Sequence, residues 1–90
     1  MPMADDEICA EPPMSQALFV AAYLDWDVMP NGNGDLHIFI NKHVGYQHVS
    51  IKRFTSHIRM HLKKIDSCIS YNTSLADMAC ICAAHARQSM

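Results

Sequence analysis

Six histidines and four cysteines among 90 residues make metal binding and thiol chemistry the first reactions to test. His57 and His61 are spaced i, i+4, and Cys82 and His85 are spaced i, i+3. On helices, each pair would present two ligands from one face. Two such helices side by side would offer zinc a four-ligand site. The competing reading sets these histidines at the border of core and solvent, and it is the one expected, with no metal and no cofactor. Cys68 or Cys82 beside a histidine would form a nucleophile and base pair. A chain this short has little room for both a substrate pocket and an ordered triad, so no enzymatic activity is expected. The Asn-Gly repeat before Asp35 has the look of a calcium loop, but Leu36 stands where the glycine belongs and Lys42 where the bidentate acid belongs. Three glycines, none following a strand in the right register, leave no phosphate-cradling loop.

The stretch Ser56-His57-Ile58-Arg59-Met60-His61 resembles the helix end of a Cys2His2 zinc finger over fewer than ten residues. A finger also requires a close cysteine pair about a dozen residues upstream. None is present, and the resemblance ends at its ligands.

Charge is the stronger signal. Residues 1–41 contain seven acids and no base, whereas residues 42–64 contain six bases and no acid. The formal net charge of −2 therefore hides a strongly polar chain. At about 100° per residue, Lys52, Arg59 and Lys63 fall on one side of a helix, with Arg53 and Lys64 flanking them. The apolar seam of Phe54, Ile58 and Leu62 lies opposite. These five cations are the candidate binding residues, set against the alternative of a merely solvated helix face. Lys52 and Arg53 sit near the helix start, where the macrodipole disfavours cations, a small cost that a docking anion would offset.

The elements needed to position them define an α+β chain: an N-terminal helix, a small antiparallel β-hairpin of two or three strands, then two C-terminal helices. Residues 1–13, acidic and proline-containing without an apolar period, predict a flexible extended arm; residues 14–90 form a single domain. Pro12-Pro13 opens a helix over about residues 14–26, with Phe19, Tyr23 and Trp26 as a continuous aromatic stripe on the core. Asn31-Gly32-Asn33-Gly34 is a turn, preceded by a short edge strand at Val28-Met29. Residues 36–40 and 46–51 pair as a hairpin, which needs a helix over one face to be stable. Phe54, Ile58, Leu62, Ile65 and Ile69 predict a second helix to about residue 70. Ser74 with Asp77 has the form of a capping box that starts a third helix to about residue 87. Its buried stripe is Leu75, Met78, Ala79, Cys82 and Ala86, and its alanines permit close helix approach within the chain or across a homodimer.

The best apolar run, residues 17–24, is too short for a membrane span and follows acids where a signal peptide needs bases. The expected address is cytoplasmic, with all four cysteines as thiols. The functional expectation is a small non-enzymatic binding protein. It would dock on a larger protein or nucleoprotein complex through its basic helix face and regulate or inhibit it, in the style of the small inhibitors encoded by phages and mobile elements. The alternative is DNA binding. Strand, helix, short turn and helix over about 42 residues resemble the ribbon-helix-helix repressors. That resemblance implies a dimer with His48, Ser50 and Lys52 facing bases and the Ser74 helix start on phosphate. On the first reading, reversing Arg59 and Lys63 to Glu should abolish partner binding and leave the fold intact.

Overall fold

Each long helix starts where a side chain or a proline satisfies its first turn. Ser50 leaves the last strand in an extended conformation, and its hydroxyl accepts the Arg53 N–H at 3.1 Å. Ser74 does the same for the Asp77 N–H at 3.1 Å. Pro13 opens the helix before the sheet, where a missing N–H costs nothing. The computed structural model describes residues 5–88 and gives the order α1 (Asp5–Cys9), α2 (Pro13–Tyr23), β1 (Val28–Pro30), β2 (Leu36–Asn41), β3 (Gly45–Val49), α3 (Ile51–Lys63) and α4 (Leu75–Gln88). The three strands form one antiparallel sheet in the order β1-β2-β3, so the α+β architecture read from the sequence is the observed one, with the short edge strand included.

The core joins one residue set from every helix to the start of the sheet. Val20 of α2, Phe54 and Ile58 of α3, Met78 and Cys82 of α4, Leu36 of β2 and Ile8 of α1 are all buried. Five residues of the expected arm thus belong to the folded domain, which the sequence did not suggest. Asp5–Cys9 is helical rather than extended, and α1 packs on α4. A five-residue helix cannot sustain itself in water, so its anchors are tertiary. Ile8 enters the core, and the buried Gln16 amide donates to the carbonyls of Ile8 and Cys9, both at 3.1 Å. The Ile8 carbonyl also accepts the Glu11 N–H at 3.2 Å, so Gln16 reinforces the pairing at the helix end. Cys9 is also disulfide-bonded to Cys80, with Cα atoms 5.9 Å apart. This corrects the expectation of four thiols; Cys68 and Cys82 are the free ones, exposed and buried respectively.

α2 stops three residues before the expected end. Leu24 caps it, Asp25 turns to a left-handed φ of 62°, and Trp26 N–H returns to the Ala21 carbonyl at 2.9 Å. With Asp25 N–H on Ala22 at 3.1 Å, this is a Schellman ending with aspartate at the position where glycine is favoured. The aromatic stripe is therefore split: Tyr23 reaches His85 of α4, whereas Trp26 packs edge-on against Phe54 of α3. Asp25→Gly should raise the unfolding free energy by about 0.5–1 kcal/mol, because the relieved left-handed strain exceeds the added chain entropy of glycine. Urea unfolding of the two proteins measures it, and a loss of stability would refute the strain assignment.

α3 also ends early, at Lys63. Asp66 Oδ1 then accepts the Cys68 N–H at 2.8 Å, a turn that competes with helix. Ile69 still reaches the core, but Ile65 is 64% exposed, so the helical period of the sequence carries on past the helix itself.

Candidate binding groove

The two faces of the sheet are distinguished by register. His37 pairs with His48 and Phe39 with Tyr46, and both pairs are in ring contact on one face. Leu36, Ile38 and Ile40 alternate with them and belong to the other face, where α3 passes. α3 covers only the near end of that face. Leu36 is fully buried, while Ile40 remains 46% exposed. The uncovered part is a groove of about 390 Å³ between β2, β3 and α3. Ile38, Ile40 and Val49 line it from the sheet, and Met60, His57 and Arg53 line it from the helix. A second hollow of about 400 Å³ adjoins it across Ile38, Ile40 and His57, and carries Asp25 and Asp27.

Two of the five candidate cations are engaged by the chain itself. Arg59 Nε donates to the Thr73 carbonyl at 2.8 Å, and Lys63 Nζ sits over the Tyr71 ring, 2.9 Å from its centroid. Both tie α3 to the 64–74 loop. Reversing them to Glu would remove a charge-assisted hydrogen bond and a cation–π contact, so that double variant perturbs the loop as well as any surface charge. Lys52, Arg53 and Lys64 are exposed. Of these, Arg53 alone lines the groove, with Lys52 beside it on the first turn of α3. Among the described residues, no carboxylate forms an ion pair with any of the five; His48 lies 3.0 Å from Asp35 and His85 3.5 Å from Asp66.

The histidine and cysteine pairs are likewise divided. His57 and His61 flank Trp26, with ring centroids 5.4 and 5.1 Å away. Cys82 and His85 line a different hollow of about 30 Å³, together with Tyr23 and Asp66. His85 there lies between the Tyr23 hydroxyl at 3.3 Å and the Asp66 carboxylate. Such a sequence of acid, imidazole and phenol is a proton relay in form, but the hollow holds about one water molecule. The Cys82 thiol is pushed up to about 11, by burial first and by the Asp66 charge second, which keeps it protonated and unreactive near neutral pH. No group of three or more histidine, cysteine or acidic side chains among the described residues is arranged to hold a metal ion.

On the opposite sheet face, the Tyr46 hydroxyl donates to Asp27 at 2.8 Å. The Asp27 carboxylate accepting that bond holds the phenol above its ordinary value. Sequence reasoning missed the groove: Ile38 and Ile40 lie in the strand expected over residues 36–40 and Met60 is exposed on α3, with no local signal that the three border one opening. Only the span over which α3 covers the sheet separates the buried from the open ones.

No helix among the described residues is long and apolar enough to cross a membrane. Against known proteins, the chain matches no family model, no curated protein and no solved structure.

Proposed function

We propose that this chain is a non-catalytic binding protein that docks on a larger protein or nucleoprotein assembly and regulates it. The contact surface is the groove together with the first turn of α3. One observation carries the reading: an open apolar groove of about 390 Å³ bears the Arg53 guanidinium at its wall, with Lys52 adjacent and no carboxylate of the chain paired to either among the described residues. An apolar floor with a cationic rim has the chemistry of a protein-binding hot spot, where an arginine anchor borders a desolvated centre. Lys64, the C-cap of the same helix, extends the positive field, while Arg59 and Lys63 serve the loop first.

The DNA alternative is less well supported. Its Ser50 and Ser74 hydroxyls cap the chain's own helices, and His48 is bound to Asp35. The sheet face that would enter a groove of DNA carries the Asp27 and Asp35 carboxylates beside Tyr46 and His48, charges that repel phosphate.

Immobilised wild type and the double variant Lys52→Glu, Arg53→Glu, both checked by far-UV circular dichroism, test the reading in extracts of the native host. A stoichiometric protein partner retained by the wild type and lost by the variant is expected. Equal retention by both would refute it, as would duplex DNA bound with a steep salt dependence. The proposed address remains the cytosol. There the Cys9–Cys80 bond must resist the glutathione pool, which requires a reduction potential below about −300 mV. A higher measured potential would move the protein to an oxidising compartment.

A further inference from the structure

The two edges of the sheet are treated differently by the chain. β1 is three residues long, ends in Pro30 and lies against α2, so its outer edge is short and partly covered. β3 is the other edge. It reads Gly45-Tyr46-Gln47-His48-Val49, with no lysine, no proline and no acid. Its pairing with β2 is regular from Tyr46 to Val49, the irregularity lying at the hairpin end between Phe39 and Asn41. The usual devices that blunt an edge strand are therefore missing where the strand is straightest. The groove opens along this same edge, since Gln47 and Val49 of β3 form one wall and Met60 and Arg53 of α3 the other.

We propose that an extended segment of the partner adds as a fourth strand to the open edge of β3. Every second side chain of that segment, apolar in type, enters the groove over Ile38, Val49 and Met60, and an acidic side chain pairs with Arg53 and Lys52. The inference rests on the protein-binding reading above and names the chemistry of the segment. Main-chain pairing supplies affinity that is independent of sequence, and the alternating side chains supply selectivity. Five residues of edge, at about 3.3 Å each, match a segment of five or six residues. The acid belongs at the Arg53 end, because Asp25 and Asp27 occupy the adjoining hollow. A second copy of the chain is a poorer occupant. It would bring its own Lys52 and Arg53 to a groove that already carries those charges, and its β3 offers no carboxylate to meet them.

A display pool of eight-residue peptides with groove-facing apolar side chains at every second position, the one nearest Arg53 replaced by an acid, and a matched pool with lysine for that acid, provide the probe. The full chain should retain the acidic pool about tenfold over the lysine pool, the selectivity of one well-placed charge pair. The outward-facing amides of Tyr46 and His48 should gain hydrogen-exchange protection with the selected peptide. Arg53→Glu, folded by circular dichroism, should reverse the preference, and Met60→Glu should weaken retention of the acidic pool. Equal retention of the two pools overturns the proposal, as does retention without protection of β3. A concentration-dependent dimer with β3 already protected in the absence of peptide assigns the edge to a second copy and overturns it too. If the native partner is lost by Lys52→Glu, Arg53→Glu while neither pool is retained, the binding reading stands and the strand-addition inference fails.

Discussion

Phe54→Ala should lower the unfolding free energy by about 3–5 kcal/mol, near the top of the range for a single substitution. Phe54 is fully buried and sits on the first full turn of α3, the helix that joins the sheet to the loop before α4. Its ring meets Trp26 at 6.3 Å in an edge arrangement, so truncation removes an aromatic contact as well as core volume. A chain this small collapses poorly around a missing ring, because few side chains are long enough to refill the space. Total stability for such a domain is about 5–15 kcal/mol, and the loss would bring the protein close to its unfolding threshold. Trp26 is the single tryptophan, so its emission during urea unfolding reports directly on this contact. A loss under about 1 kcal/mol would show that the Phe54 site is not the packed centre described here.

Opening the Cys9–Cys80 bond should cost a comparable amount, about 4 kcal/mol on the chain-entropy account, which depends on the loop enclosed. The bond spans a sequence separation of 71, most of the chain. Reduction would also loosen α1, whose other anchors include Ile8 and the two hydrogen bonds from Gln16. For a domain of this size the loss corresponds to a fall in Tm of roughly 15–30 °C. Thermal unfolding with and without a phosphine reductant, and of the double variant Cys9→Ser, Cys80→Ser, measures it. If neither treatment moves Tm, the bond contributes nothing to the folded state. If reduction destabilises but the serine variant does not, the effect belongs to the free thiols.

The sequence was informative where a signal is local and repeated. The Asn31–Gly34 turn, the strand over residues 36–40, the Phe54/Ile58/Leu62 seam and the Ser74 cap are each decided within a few residues, and each appears as expected. Errors occur where a distant partner decides. Asp5–Cys9 has one core residue in a single turn, too little for a period, and its anchors Gln16 and Cys80 lie 7 and 71 residues from Cys9. The helix ends at Tyr23 and Lys63 were hidden because the apolar spacing continues through Trp26 and Ile69. These residues return to the core from loop conformations rather than from a helix. The candidate site was legible in half. Charge segregation located α3 as the cationic element, but which cations serve the loop depends on Thr73 and Tyr71, residues that only the folded chain brings beside Arg59 and Lys63.

The clasp between Cys9 and Cys80 also fixes how the molecule would bear tension. A pull applied at residues 5 and 88 passes through the sulfur–sulfur bond, and the segment between the two cysteines, which holds the sheet, α3 and the groove, carries no load. With about 3.5 Å of reach per residue, roughly 250 Å of contour stays hidden from the force until that bond is cut. Dragged by its ends, the oxidised chain would stretch only at its margins and keep the recognition surface assembled.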